Sequence, residues 1–369
     1  MSAPSFHAPS FHPLTIRDCR RETADTVSLL FDVPPELAER YRFVQGQHLT
    51  LKTIINGEEA RRSYSICSGV DEGELRVAVK RVEGGLFSNH ANDALAPGMV
   101  IDVMTPMGRF TTPLDPAAAR SYVAFAAGSG ITPILSIIKT VLAREPRSQF
   151  LLIYGNRAVS SIIFREELED LKNRHMGRLA IHHLLSREPE EAGLLSGRIG
   201  ADLVRELCVG QLDAASLDAA FLCGPQAMVE EVRDALAAAG TPAERIHLEL
   251  FGTSADRRPT APAKAAPDGV ADSPADGATI AILQDGKRRE FTLAYDGDTI
   301  LDAAHRHGAD LPYSCKSGVC CTCRAKIREG KVSMAENYSL EPWEVEAGYV
   351  LTCQSRPLTE RVVIDFDAP

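Results

Sequence analysis

A cysteine-dense loop near the carboxyl end constrains this chain more than any other feature. Residues 313–324 read Y-S-C-K-S-G-V-C-C-T-C-R, so Cys315, Cys320 and Cys323 stand in a C-x4-C-x2-C spacing, and Cys353 follows 30 residues after Cys323. Two irons bridged by two sulfides need two soft thiolates each. A short loop that supplies three sulfurs and a distant strand that supplies the fourth meet that demand, so the spacing predicts a 2Fe–2S centre on Cys315, Cys320, Cys323 and Cys353. Ser314, Ser317, Gly318 and Thr322 are small enough for the backbone to wrap closely, with N–H groups turned toward the sulfurs. A structural zinc site or a disulfide pair are the competing readings. Zinc knuckles favour paired C-x2-C spacings, and one such pair occurs here. Cys321 fits no ligand slot and is expected as a packed thiol.

The totals limit what surrounds this loop. A chain of 369 residues divides into two or three domains, each large enough for its own core. Its 44% hydrophobic and 24% charged residues are ordinary for a globular protein, and a net charge of −10 offers no basic face to nucleic acid. The remaining cysteines (Cys19, Cys67, Cys208, Cys223 and Cys321) are scattered singly, which suits a reducing compartment. The S-F-H-A-P-S-F-H-P start has neither a basic region nor an apolar stretch, and no apolar run approaches the ~18–20 residues of a membrane helix. The expectation is a cytoplasmic protein.

Read in order, residues 12–113 alternate like strands at Thr26–Phe31, His48–Ile54 and Leu75–Val79, with one short helix near Phe87–Leu95. This predicts a small antiparallel β-barrel. Over 120–251 the pattern changes. Apolar strands at Tyr122–Ala126, Phe150–Tyr154, Leu179–Leu185, Ala219–Cys223 and Ile246–Leu250 alternate with amphipathic helices, which predicts an α/β domain with a parallel sheet. Residues 252–277 are Pro, Ala, Gly and Asp with little to bury, hence a linker. A strand pair, a helix at Ile300–His307 and the cysteine loop follow in 278–369. The expected boundaries are a disordered 1–11, a barrel over 12–116, an α/β domain over 117–251, the linker, and an α+β cluster domain.

Two segments of the barrel carry a chemical pattern. In Arg62-Ser63-Tyr64-Ser65 a guanidinium can pair with a pyrophosphate, a phenol can lie against a flat ring, and a hydroxyl can approach a ring nitrogen. Gly84-Gly85-Leu86-Phe87-Ser88 opens a helix whose free N–H groups can hold phosphate. In the α/β region, Gly128-Ser129-Gly130-Ile131-Thr132-Pro133 joins the first strand to the first helix and lets a nucleotide approach the backbone. Cys223-Gly224-Pro225 ends the penultimate strand, and Glu249-Leu250-Phe251 closes the domain. The second strand ends in Tyr154-Gly155-Asn156-Arg157, without the acid that would hold an NAD ribose. The third ends in Ser186-Arg187, with Arg198 nearby. His182 and His183 face opposite ways on a strand. His305 and His307 are expected at the surface and carboxyl end of their helix, and Trp343 as a packing anchor.

Together these segments resemble the ferredoxin–NADP reductase superfamily followed by a plant-type ferredoxin domain. The order of the modules is similar to that of reductase components of the phenylacetyl-CoA epoxidase family, and also to those of 3-ketosteroid hydroxylases. The resemblance implies FAD held by Arg62, Ser63, Tyr64, Ser65, Gly85, Leu86, Phe87 and Ser88, and NADPH rather than NADH. Gly128, Gly130, Thr132, Asn156, Arg157, Ser186, Arg187, Gly224 and Pro225 would hold the nucleotide, and Phe251 would shield the flavin ring. It further implies Ser65, Thr132 and Cys223 at the reacting atoms, a 2Fe–2S centre, and a di-iron oxygenase as the electron-accepting partner. Two other classes stay open: a stand-alone NAD(P)H oxidoreductase, and a zinc-binding redox sensor or scaffold.

Overall fold

The computed structural model describes residues 9–188, 197–251 and 277–368. The expected linker lies outside the described residues apart from Gly277, and so does most of the expected disordered N-terminus. Phe11 corrects that boundary by one residue: it opens strand β1 (Phe11–Thr23), with Lys52 and Arg61 over its ring at 4.4 and 5.1 Å. Phe11–Phe251 form one compact unit, and the residues from 277 onward belong to a second. Among the described residues no helix is long and apolar enough to cross a membrane.

The first half of the larger unit is a six-stranded antiparallel sheet in the order β4-β3-β6-β1-β2-β5. It comprises β2 (Thr26–Asp32), β3 (His48–Ile55), β4 (Glu58–Ser65), β5 (Leu75–Lys80) and β6 (Val100–Met104) besides β1. Leu14, Ile16, Leu29, Leu49, Leu51, Val77 and Val103 alternate inward and are fully enclosed; each contributes roughly 1.5–3 kcal/mol by leaving water. Ile66, just past β4, bridges Val77 of β5 and so joins the two edges of the sheet into the barrel. The Asn56-Gly57 turn, with φ of +55° and +84°, fixes the β3–β4 register so that His48 faces Ser65 and Leu51 faces Arg62. Helix α1 (Leu86–Asp93) caps the barrel with Phe87 buried.

The second half carries a parallel sheet, β11-β10-β7-β8-β9, built from β7 (Ser121–Ala127), β8 (Gln149–Asn156), β9 (Leu179–Leu185), β10 (Ala219–Gly224) and β11 (Ile246–Leu250). Helices α2 (Ile131–Arg144), α3 (Arg165–Arg174), α4 (Ala201–Gly210) and α5 (Gln226–Ala238) connect the strands. The strand order reverses between β7 and β10, which places the crevice for a ligand at their carboxyl ends. Helix α2 also fastens the barrel: Ser136 Oγ donates to Ser68 O at 2.7 Å, Thr140 Oγ1 accepts from Val70 N at 3.2 Å, and Arg144 pairs with Asp71 at 2.7 Å.

The second unit is a five-stranded mixed sheet, β13-β12-β18-β14-β16, with helix α6 (Ile300–Arg306) packed on it. Its strands are β12 (Ala278–Gln284), β13 (Lys287–Leu293), β14 (Arg324–Glu329), β16 (Tyr349–Leu351) and β18 (Arg361–Asp365). β15 (Val332–Met334) and β17 (Ser355–Pro357) form a separate pair. Thr299 caps α6 by accepting from Asp302 N at 3.2 Å. Two expectations are corrected here. Trp343, on the short helix α7 (Pro342–Glu346), is 57% exposed, because the helix turns Glu344 inward to Arg324 instead. His305 is half-buried rather than superficial, with its ring edge-on to Tyr313 at 4.8 Å.

Candidate cofactor sites

On β4 alternation sorts the predicted tetrapeptide: Arg62 and Tyr64 share one face, Ser63 and Ser65 the other. Tyr64 packs at 5.5 Å against the ring of Phe87, and Ser63 Oγ lies 3.1 Å from Thr50 Oγ1. Arg62 donates to Arg61 O at 2.7 Å, and no carboxylate among the described residues pairs with it. The α1 start adjoins β4. Ser88 Oγ accepts from Val82 N at 3.0 Å, and a Cβ on Gly85 would stand 2.5 Å from that hydroxyl. The first-turn N–H groups of Leu86, Phe87 and Ser88 have no carbonyl earlier in the helix to bond. An arginine without a carboxylate partner among the described residues, on the strand that the α1 start adjoins, fits a diphosphate.

At the carboxyl end of β7, Gly128–Gly130 form a tight 3-10 turn that leads into α2. Gly130 has no room for a side chain, since a Cβ there would stand 2.1 Å from Cys223 O. The turn therefore backs directly onto Cys223-Gly224-Pro225 at the end of β10. Thr132 is buried, and its Oγ1 donates to Ser129 O at 3.0 Å, so it braces the turn. Tyr154 braces it from β8 by donating to Gly128 O at 3.0 Å. Asn156, at the end of β8, is buried with neither amide atom in hydrogen-bond geometry. Its amide lies close enough to Tyr154 to lower that phenol's pKa, against the larger upward effect of burial. Beyond it the β8 and β9 ends run side by side, with Ser186 N on Asn156 O at 3.0 Å and Arg187 N on Arg157 O at 2.9 Å. Arg157, Ser186, Arg187 and Arg198 are exposed, and no carboxylate pairs with these three arginines among the described residues. An unpartnered buried amide beside arginines that no described carboxylate pairs with fits a phosphorylated nucleotide.

The two halves meet at Ser65. Its Oγ donates to Glu249 Oε2 at 3.1 Å, and Glu249 stands beside Cys223 in the β10–β11 register. Solvent reaches part of Glu249, yet the surrounding protein desolvates its carboxyl and pushes it up to about 8, while the Ser65 bond pulls the other way. Cys223 is fully buried, and burial first and Glu249 second push its thiol well above its ordinary range. Opposite Ser65, His48 is buried with Nε2 unpartnered, and burial lowers it to about 4, so the ring is neutral. Phe251 follows β11 and is 38% exposed. Sequence reasoning missed Glu249 and His48. Glu249 stood in the quoted E-L-F segment, but nothing local marks its carboxyl as enclosed.

In the second unit the four predicted thiols gather as two pairs. Cys315 stands close enough to Cys320, and Cys323 to Cys353, for each pair to shift one another's pKa. In each pair the neighbouring thiol holds one pKa down, that of Cys315 and of Cys353, and drives its partner's up. The loop bends at Lys316, Gly318 and Cys321, all at positive φ. Gly318 is required there, since a Cβ would also meet Glu336 O at 3.0 Å. Thr352 bonds Cys323 O through both N and Oγ1, at 3.2 and 3.0 Å, which ties Cys353 to the loop; Cys353 itself lies in the turn between β16 and β17, not on the strand the spacing suggested. Cys321 turns away and donates to Ser339 O at 3.3 Å. Among the described residues no group of three His, Cys, Asp or Glu is set around a single ion. Thiols in two pairs are the donor set that two irons ask for.

Fold and sites define a flavin- and nicotinamide-dependent oxidoreductase of the ferredoxin–NADP reductase type with a carboxyl-terminal 2Fe–2S domain. Family models agree segment by segment: the oxidoreductase FAD-binding domain over 13–112, the oxidoreductase NAD-binding domain over 125–234, and the 2Fe-2S iron-sulfur cluster binding domain over 282–358. The chain is 48% identical to a subunit of 1,2-phenylacetyl-CoA epoxidase from Escherichia coli K12, over 97% of this chain and 98% of that protein. It is 35% identical to the ferredoxin reductase component of 3-ketosteroid-9-alpha-monooxygenase from Rhodococcus rhodochrous, over 96% of both. Among solved structures, phthalate dioxygenase reductase matches with a TM-score of 0.59 and 26% identity, over 96% of this chain and 98% of that one. The chain belongs to this family of oxygenase reductase components.

Proposed function

We propose that the chain passes electrons from NADPH to the di-iron oxygenase component of a phenylacetyl-CoA epoxidase. The end-to-end 48% identity with a known component of that epoxidase carries the reading. Arg157, Arg187 and Arg198, which have no carboxylate partner among the described residues, support NADPH over NADH. The proposed lobes are 12–116 for FAD and 117–251 for the nucleotide, with 252–277 as a tether to the cluster domain at 278–369, in a cytoplasmic protein.

Each group of residues then has a task. Arg62 and the α1 N-terminus hold the FAD diphosphate, and Tyr64 lies against the flavin. Gly128, Gly130, Gly224 and Pro225 keep the crevice floor bare, so a nicotinamide can come down to Thr132, Cys223 and Ser65. Phe251 covers the flavin ring until the nucleotide arrives. Glu249, protonated near neutral pH, keeps a negative charge out of that crevice while it orders the Ser65 hydroxyl. When bound, FAD takes an electron pair as a hydride and releases single electrons that a 2Fe–2S centre on the four cysteines can accept.

The test is reconstitution. Purified chain should be yellow-brown, oxidise NADPH faster than NADH, and support turnover of phenylacetyl-CoA by the oxygenase part of the epoxidase. Turnover only with a ring-hydroxylase oxygenase would overturn the substrate assignment. A colourless protein would overturn the electron-transfer reading itself.

A further inference from the structure

Gln354 directly follows the last cysteine of the loop set, and its side chain does two things at once. Nε2 lies 2.9 Å from Lys316 O and 3.6 Å from Cys353 Sγ. A backbone carbonyl only accepts, so the bond to Lys316 O fixes which end of the amide is nitrogen; its second N–H is then directed at the sulfur. Both ends of this strap are held. On one side Gln354 N donates to Leu351 O at 2.9 Å, Gln354 O accepts from Ala335 N at 3.0 Å, and Cγ packs over Gly318. On the other, Lys316 has φ of +53°, its Nζ is 2.6 Å from Asp302 and lies 4.6 Å from the Tyr313 ring centroid. The amide is thus preorganised across the gap between the β16–β17 turn that carries Cys353 and the loop of Cys315.

We infer that Gln354 is a positioning residue that sets the reduction potential of the cluster by donating a hydrogen bond to the Cys353 thiolate. The inference rests on the four-cysteine 2Fe–2S reading above. An N–H aimed at a ligating sulfur stabilises the more negative, reduced state more than the oxidised one, so it raises the potential. Removing it lowers the potential while leaving the four thiolates in place.

The experiment uses the full chain and two near-isosteric variants. Gln354→Met removes both N–H donors and stays neutral; Gln354→Glu removes them and adds a negative charge. Iron and sulfide content and the visible spectrum measure cluster loading. An EPR-monitored redox titration measures the potential, and resonance Raman spectra in H2O and D2O report on hydrogen bonding at the cysteinyl sulfurs. With clusters loaded as in wild type, Gln354→Met should lower the reduced-to-oxidised ratio at fixed solution potential about tenfold, which is 59 mV for one electron. Gln354→Glu should lower it further, and both should lose part of the D2O shift. An unchanged potential in both loaded variants would overturn the inference. Loss of the cluster from both would also overturn it, leaving Gln354 a purely structural strap. Absence of iron–sulfur bands from the wild-type chain would instead bring down the cluster reading on which the inference rests.

Discussion

Ser65 and Glu249 lie 184 residues apart in the chain and 3.1 Å apart in space, and their hydrogen bond joins the end of β4 to β11. It is the point at which barrel and parallel sheet share one polar contact beside Cys223. Glu249 holds a proton in the folded chain to about pH 8, whereas the unfolded chain releases it in the ordinary carboxylate range. A raised carboxylate pKa means the native state binds more protons than the unfolded state between about pH 4.5 and 8, so this group's contribution to stability falls as pH rises through that window. Glu249→Gln keeps a partner for Ser65 and removes the titration. Its stability relative to wild type should therefore rise from pH 5 to pH 8, by roughly 1–2 kcal/mol given the solvent that reaches the side chain. Urea midpoints followed by circular dichroism at several pH values check the sign; parallel curves for the two proteins would refute it.

Arg187→Ala tests nucleotide choice. Loss of one charge-assisted contact with a 2′-phosphate should weaken NADPH by roughly 1.5–3 kcal/mol and leave NADH nearly unchanged. Steady-state kcat/KM for both nucleotides gives the answer. Equal losses would point to a folding defect.

Arg62→Ala should lower FAD occupancy after gel filtration, because Arg62 has no carboxylate partner among the described residues and lies outside the enclosed core. The flavin-to-protein absorbance ratio measures it. Full retention with normal hydride transfer would remove Arg62 from the site.

Two cysteine variants separate ligand from bystander. Cys323→Ala removes a thiol paired with Cys353 and should abolish or severely destabilise the cluster, so that cytochrome c reduction collapses while ferricyanide reduction by NADPH continues. Cys321→Ala removes a thiol bonded to Ser339 O and should leave the cluster spectrum and both activities largely intact. A bleached Cys321→Ala protein would redraw the ligand set.

The sequence by itself determined the features that depend on neighbours along the chain. Cysteine spacing specified the loop, alternation specified the two sheet types, and the Gly-rich turns at 84–85 and 128–130 marked where helices begin. These are local because backbone conformation and side-chain periodicity are set within a few residues. Tertiary structure decided what depends on enclosure and on distant partners. Glu249 acquires a shifted pKa only because the packed lobes desolvate its carboxyl. His48 becomes neutral, with Nε2 unpartnered, only where the Met107–Gly108 segment packs against β3 and encloses its ring. Trp343, which composition alone marks as core, faces outward because α7 turns buried Glu344 toward Arg324 in its place. Spacing supplied four thiols, but the closeness of Cys315 to Cys320 and of Cys323 to Cys353, and the amide of Gln354 held against Cys353, arise where the β16–β17 turn and the cysteine loop are brought together by the fold. Desolvation and contact across long sequence separations are properties of the folded chain, so no stretch of sequence read alone displays them.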